Sequence, residues 1–188
     1  MSDGFHALLA EAGVEFRPPP EYLPCAVRDN AAFRYQHALR SPTGDLELRY
    51  RIDVFARLEA DRKAAAVGIE TLASANLDSM HAANFMAILF NLSGGAFVEP
   101  TVLRPESTAL LYAADWCALA FLRLADKGFA GGRDSAFFVS VHKAGVADIH
   151  VIGLYDDPDG PKGKFDKDAL PAEVKLNLAP LLRFTGET

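Results

Sequence analysis

The sequence predicts an α+β fold, a mainly antiparallel, twisted sheet of about five strands with helices packed on it. Two stretches with alternating apolar residues, 31–55 and 135–157, each predict a β-hairpin, and a stretch rich in helix formers, 59–92, lies between them. Strands joined by tight turns form antiparallel rather than parallel sheets. The 188 residues fit one α+β domain, in which 31–184 form the core and 1–30 form an N-terminal helix and an extended connector.

The composition is that of a folded, acidic protein. Half of the residues are hydrophobic and 23% are charged, which disfavours disorder. The net charge of −6 disfavours nucleic acid and anionic membranes as partners, because both select basic surfaces. No apolar run reaches the roughly 18 residues that span a bilayer, and the N-terminus lacks the basic and apolar segments of a signal peptide. We therefore predict a cytoplasmic protein whose two cysteines, Cys25 and Cys117, are free thiols.

Both ends of the chain contain predicted helices. Apolar residues at helical spacing predict a helix over residues 5–12, which Gly13 ends. The prolines of RPPPEYLP disfavour regular structure after it, so residues 17–30 are predicted to be extended. A short helix is predicted over residues 171–179, where Pro180 ends it.

The first hairpin has the clearest pattern in the chain. A four-residue loop, SPTG, predicts that Leu39 lies opposite Leu46 and that Arg34 lies opposite Arg51. This register keeps every apolar residue on one face. The predicted apolar face consists of Phe33, Tyr35, His37, Leu39, Leu46, Leu48, Tyr50, Ile52 and Val54.

The segment between the hairpins is predicted to be helical. Its best-supported helix begins at Ser74 or Asn76, runs to residue 92 and ends at the glycines 94–95. Because the second half of this helix is apolar nearly all round, we expect it deep in the core. A separate helical turn is expected over residues 61–68.

Residues 105–124 allow two interpretations. Pro105 and Ser107 favour the start of a helix, for which Leu110, Leu111 and Ala114 would form the buried stripe. The run WCALAFLRL is apolar on both faces, as in a central strand. We predict a helix to residue 114 and a strand over 116–124, with one continuous helix as the alternative.

The second hairpin brings together the candidate catalytic residues. A three-residue turn, 144–146, sets His142 opposite Asp148 and Ser140 opposite His150. Two imidazoles and a carboxylate could ligate a metal, and a serine beside a histidine could be a nucleophile with its base. A flat sheet surface supplies neither an oxyanion hole nor a dry pocket, however. The sequence therefore favours a solvated polar patch, with a metal-assisted hydrolase as the alternative.

Three arginines of the first hairpin, Arg34, Arg49 and Arg51, are the candidate ligand-binding residues. The predicted register places the like charges of Arg34 and Arg51 opposite each other, which is unfavourable unless something relieves it. A small anion or an acidic protein partner could do so, since guanidinium groups bind carboxylates and phosphates in two-point contacts. His37 lies in the apolar row instead, and we expect it to be a buried, neutral histidine.

No cofactor or metal is predicted. The glycine pairs 94–95 and 131–132 are not followed by the lysine and serine or threonine of a phosphate-binding loop. The acidic run YDDPDGPKGKFD has Tyr155 where a calcium loop needs its first ligand.

The order of elements in FRYQHALRSPTGDLELRYRIDVF, SVHKAGVADIHVIGLYDD and the final helix resembles that of Mog1/PsbP-like proteins. The resemblance spans most of the chain from residue 31 onward and implies an antiparallel sheet with helices on both faces. It implies a binding module or accessory subunit rather than an enzyme, and it transfers no functional residue.

Together these observations predict a non-enzymatic binding or accessory protein. It would use a sheet face or an adjacent groove, and its partner would be an unidentified protein or a small anion. Homodimerisation through a hairpin edge is a further expectation.

Overall fold

The computed structural model describes residues 3–65, 76–157 and 182–186. In this part of the chain the helices are α1 Asp3–Glu11, α2 Phe55–Ala65, α3 His81–Leu92 and α4 Pro105–Tyr112, with a 3₁₀ helix, Leu77–Ser79, before α3. The strands are β1 Val14–Phe16, β2 Leu23–Pro24, β3 His37–Arg40, β4 Glu47–Val54, β5 Thr101–Val102, β6 Trp116–Arg123, β7 Ser135–Lys143, β8 Ala147–Tyr155 and β9 Leu182–Phe184. Among these helices, none combines the length and the apolar character needed to cross a lipid bilayer.

The centre of the molecule is a seven-stranded sheet in the order β2-β3-β4-β8-β7-β6-β5, in which all neighbours are antiparallel. β1 and β9 form a separate antiparallel pair. The predicted α+β class and antiparallel sheet are confirmed, but the sheet has more strands than predicted. β2 and β5 have two residues each, too few for an alternating pattern to reveal them. Within the described residues, β4 of the first hairpin pairs with β8 of the second, β2 pairs with part of β3, and β6 pairs along β7, so most of the hairpin edge that homodimerisation would use is already paired.

Both faces of the seven-stranded sheet are buried. α1 and the β1–β9 pair cover one face, where Phe5 packs in the same core as Tyr50. α3 covers the other face, where Phe85 packs in the same core as Phe138. The N-terminal helix, predicted over residues 5–12 and confirmed as α1, is therefore part of the core.

The first hairpin forms with a register two residues away from the predicted one. Leu39 lies opposite Leu48 rather than Leu46. The Ser41 amide donates to the carbonyl oxygen of Leu46, and the Leu46 amide donates to the Ser41 hydroxyl, so the loop is Pro42 to Asp45. Gly44 has a positive φ of 82° in this loop. A shift of two residues leaves each strand residue on its predicted face, so the alternating pattern could not distinguish the two registers.

The start of this hairpin differs more strongly from the prediction. β3 begins only at His37, so Arg34 is outside the strand and does not pair with Arg51. Phe33 and Tyr35 belong to the core under α3, on the face opposite His37. The irregular backbone between residues 33 and 36 breaks the alternation and moves both rings to the other side of the sheet.

Residues 105–123 form a helix, α4, followed by a strand, β6, as predicted. The alternative prediction of one continuous helix is wrong. Ala113, in the left-handed conformation at φ 52°, ends α4. The predicted buried stripe of α4 is wrong in part, because Leu110 and Leu111 are exposed whereas Thr108 and Tyr112 are buried.

The second hairpin has the predicted register. His142 pairs with Asp148, and Ser140 pairs with His150. The connection is the predicted three-residue turn, with Gly145 at a φ of 70°.

The helices between the hairpins differ in detail from the prediction. Asn76 caps the 3₁₀ helix by accepting a hydrogen bond from the Asp78 amide, and α3 begins later, at His81. α2 covers the first part of the predicted helical turn over 61–68, and residues 66–68 and Ser74 lie outside the described residues. The predicted helix over 171–179 also lies outside them.

His37 is buried, as predicted, and it makes stability depend on pH. Its side chain is 4% exposed and stacks on the Phe5 ring at 4.7 Å between centroids. No hydrogen-bond partner for Nε2 occurs among the described residues. Burial lowers the pKa of His37 from 6.5 to about 4.

Replacing His37 with leucine is expected to remove part of the acid sensitivity. As the pH falls below 6.5, the unfolded chain binds a proton that the folded chain does not bind until about pH 4, so stability is lost over that window. Between pH 7 and 5 the wild type should lose about 2 kcal/mol more than His37→Leu. Urea unfolding at both pH values measures the difference, and equal losses would show that His37 does not carry the effect.

Candidate functional site

The three candidate arginines do not form one exposed surface. Arg34 is exposed, whereas Arg49 is completely buried. Arg51 is partly buried and pairs with Asp53, at 2.8 Å between Nη2 and Oδ2. The guanidinium groups of Arg49 and Arg51 are therefore already bound to carboxylates of the same strand, β4.

Arg49 is held in a closed environment by one carboxylate, one carbonyl oxygen and two aromatic rings. Its Nε and Nη2 each lie 2.7 Å from Oε1 of Glu47, and its Nη1 donates to the carbonyl oxygen of Phe129 at 2.9 Å. Its guanidinium lies over the rings of Tyr35 and Phe129, at 4.8 and 4.7 Å from their centroids. Cation–π contacts of this kind add to the ion pair. The environment of Arg49 is that of a structural charge rather than of a free anion site.

Glu47 is the acidic centre of this buried cluster. It also contacts Arg40, at 3.1 Å, and Arg133, at 3.6 Å. Burial of Glu47 opposes ionisation, but the charge of Arg49 and the hydrogen bonds from Arg49 and Arg40 outweigh it and hold the pKa of this carboxyl below its usual value. Three cations thus share one buried carboxylate.

The polar residues of the second hairpin are buried, so the predicted solvated patch is wrong. Ser140, His142, Asp148 and His150 are each at most 3% exposed. His81, at the start of α3, stacks on His142 with 4.0 Å between ring centroids, and Phe55 of α2 lies 5.8 Å from the same ring. The elements before and within α3 cover the end of the hairpin that was expected to face water.

His142 is bound to Asp148 and lies close to a second carboxylate. Its Nδ1 is 2.8 Å from Oδ1 of Asp148, and its Nε2 is 3.9 Å from Oδ1 of Asp78. Asp78 also accepts a hydrogen bond from the Gly145 amide, and Asp115 accepts one from the Ala144 amide. These carboxylates fasten the turn of the second hairpin to the elements on either side of it.

His150 belongs to a second, separate pair. Its Nε2 is 3.7 Å from Oδ2 of Asp53. Burial opposes ionisation of Asp53, but its contacts with His150 and Arg51 prevail and lower the pKa of this carboxyl. Within the part of the chain that the structure describes, Ser140 Oγ and His150 Nδ1 have no hydrogen-bond partner, so these opposed residues do not form a nucleophile–base pair.

The geometry of this polar cluster does not assemble the metal ligands that the hydrolase alternative needs. In residues 3–65, 76–157 and 182–186, no group of three His, Cys, Asp or Glu side chains is arranged to hold a metal ion. His142 and His150 each bind a different aspartate instead. The contacts that the cluster makes are those of a buried structural network.

Sequence reasoning missed the most unusual surface, which lies on the outer side of α3. Only Phe85, Leu89 and Leu92 of α3 are buried, so the expectation of burial on all sides is wrong. Phe90 is 58% exposed, and Phe97, beyond the end of the helix, is 81% exposed. We call the exposed residues Ala83, Ala87, Phe90, Asn91 and Phe97 the α3 outer face.

The α3 outer face is free of charge and contains a cavity. The sequence from Ala82 to Val98 contains no charged residue, and the helical members of the face recur at positions that share one side of a helix. The cavity measures about 320 Å³ and lies between α3 and the segment 96–98. Among the described residues that line it, Asn91 is the only polar one.

The glycine pair after α3 turns the chain so that residues 96–98 form one side of this cavity. Gly94 and Gly95 have φ values of 68° and 91°, and the Gly95 amide donates to the carbonyl oxygen of Phe90. A Cβ on Gly94 would lie 2.6 Å from the Cβ of Ala125, so only glycine fits there. The predicted helix stop is thus confirmed, and it turns the chain so that Phe97 stands beside α3.

The chain matches no protein-family model and no curated protein. What the chain does must therefore be inferred from these surfaces.

Proposed function

We propose that this chain is a non-enzymatic binding or accessory protein that binds a protein partner through the α3 outer face. The observation that carries the proposal is the absence of charge from an exposed helix side in a chain with 19 basic and 25 acidic residues. Protein interfaces are depleted of charge at their centres and enriched in aromatic residues. A helix that is apolar all round is normally buried, and a partner would complete the burial of α3.

A protein partner fits this surface better than a small molecule does. Ligand pockets typically enclose most of a small molecule's surface, and volumes of about 300 Å³ are at the lower end of their range. The rings of Phe90 and Phe97 line the cavity but are largely exposed to solvent. A small ligand inside the cavity would leave much of both rings exposed. A protein surface would cover both rings and fill the cavity together.

Two further expectations agree with this proposal. The resemblance to Mog1/PsbP-like proteins implies the same class of function, a binding module or accessory subunit. The two free cysteines, Cys25 and Cys117, suit the reducing cytoplasm that we propose as its location.

Photo-cross-linking in cells that produce the full chain tests the proposal. With p-benzoylphenylalanine in place of Phe97, we expect one protein adduct that mass spectrometry identifies. The same label in place of Leu110, which is 73% exposed on α4, is the matched control and should not form that adduct. Ala87→Glu should abolish the adduct, because it places a charge on the α3 outer face. No adduct at position 97, or the same adducts from both positions, would refute the proposal.

The hydrolase alternative is a second proposal that rests only on the hydrogen bond between His142 and Asp148, because no group of three metal-ligating side chains occurs among the described residues. If the chain is a binding protein, His150→Gln should leave the cross-link from position 97 intact. If the chain is a hydrolase that uses His150, the same substitution should abolish hydrolysis.

A further inference from the structure

We infer that the partner bound by the α3 outer face is a second copy of this chain, related to the first by a two-fold axis. This inference rests on the proposed function and adds the identity of the partner. It follows from three properties of the surface: its shape, its lack of charge and the small residues near its centre.

The surface carries both parts of a self-complementary contact. The cavity beside α3 is a concave, apolar site, and the ring of Phe97 at its rim is a convex, apolar group that is 81% exposed. In a two-fold interface the same surface patch is used twice, so each copy must offer both the cavity and the group that enters it. Here Phe97 of each copy would enter the cavity of the other.

Charge favours the α3 outer face as the place where two copies meet. The chain has a net charge of −6, so two copies repel each other on approach. Like charges placed against each other at an interface are strongly unfavourable. A two-fold axis through the α3 outer face brings no such pair into contact, because this face has no charge.

The middle of α3 permits close contact between two helices. Ala83 and Ala87 are one turn apart on the exposed side, and Ala87 lies near the centre of the twelve-residue helix. Small side chains at a crossing point let two helices approach closely, toward the short end of the usual 8–10 Å range. Ala87 also lines the cavity, so the two α3 helices would meet at Ala87 beside the cavity that Phe97 of the other copy enters.

The size of the surface sets the expected strength of the dimer. From their exposed fractions, Phe90 and Phe97 together offer on the order of 300 Å² of ring surface per copy. A standard interface buries about 800 Å² per partner, so the remainder has to come from the alanines and the segment that follows α3. We therefore expect reversible dimerisation in the micromolar range.

Sedimentation velocity of the full chain, over about a hundredfold range of concentration, tests this inference. The wild type should change from monomer to dimer with concentration. Ala87→Glu and Ala87→Lys should each raise the dissociation constant at least tenfold, because each places two like charges against each other at the interface. The control Leu110→Glu, an added charge on α4, should dimerise like the wild type.

Mixing the two Ala87 variants gives the sharpest result. Each variant alone places two like charges at the two-fold axis, whereas a mixed dimer places a glutamate against a lysine. An equimolar mixture of Ala87→Glu and Ala87→Lys should therefore recover dimers that neither variant forms alone. Circular dichroism shows whether each variant is folded.

The outcomes separate this inference from the proposed function. A wild type that stays monomeric throughout the range, or Ala87 variants that dimerise like Leu110→Glu, would overturn the second copy as partner. If the Phe97 cross-link then joins a different protein, the proposed function stands and only its partner changes. Absence of both dimer and cross-link would overturn both.

Discussion

Glu47→Ala is expected to destabilise the fold by about 3–5 kcal/mol, because it leaves the buried Arg49 without its counter-charge. Arg49 is completely buried and its guanidinium has no solvent to replace the carboxylate. The aromatic rings of Tyr35 and Phe129 supply only part of the lost interaction. Urea unfolding at neutral pH measures the loss.

Arg40→Ala is the matched control for Glu47→Ala. Arg40 contacts the same carboxylate, but its side chain is 44% exposed, so its removal should cost less than about 1 kcal/mol. The double variant Glu47→Met/Arg49→Met should recover much of the loss, because the completely buried guanidinium is then removed together with its counter-charge. A loss of under about 1 kcal/mol in Glu47→Ala would contradict the structural role of this ion pair.

Phe138→Ala is expected to cost about 3–5 kcal/mol, because Phe138 joins α3 to the sheet. Its completely buried ring stacks on Phe85 of α3 at 5.2 Å and on His150 at 5.7 Å, and it meets the edge of Phe33 at 5.8 Å. Removing the ring would leave a cavity among all three groups. Chemical denaturation of the full chain measures the loss.

Phe97→Ala provides the comparison for Phe138→Ala with the same change of side chain. Because Phe97 is 81% exposed, its loss should alter the stability of the monomer by less than about 0.5 kcal/mol. Similar losses in the two variants would contradict the assignment of Phe97 to a surface and Phe138 to the core.

The sequence correctly predicted those elements whose residue pattern is compatible with only one secondary structure and register. Strict alternation identified both hairpins, and the turn centred on Gly145 fixed the second one to the correct residue pairs. In the first hairpin, alternation determined the faces from His37 onward but allowed two registers, and the bonds between Ser41 and Leu46 selected the unpredicted one. Strands of two residues leave no periodic signal at all.

The site residues were harder to predict, because their burial depends on what covers them. Arginines are mostly exposed in proteins, so a buried Arg49 was not expected. The available signal was Glu47, two residues earlier and therefore on the same face of β4. For the second hairpin, only the folded chain reveals that His81 and Phe55 cover His142.

For α3, the predicted helix is confirmed, but the predicted burial deep in the core is wrong for one side of it. The sequence shows a helix without charges from Ala82 onward, and this composition is typical of a helix buried on all sides. The sheet buries only the side with Phe85, Leu89 and Leu92. We attribute the remaining apolar side to a contact with another protein molecule.

The most direct test of this account is the free energy of unfolding of Ala87→Glu, measured at a concentration where the protein is monomeric. If the α3 outer face faces solvent in the monomer, the substitution should cost less than about 0.5 kcal/mol, the difference in helix propensity between the two residues. A loss of about 3 kcal/mol or more, the cost of burying an unpaired charge, would show that the chain itself covers this face, and the central claim would be wrong.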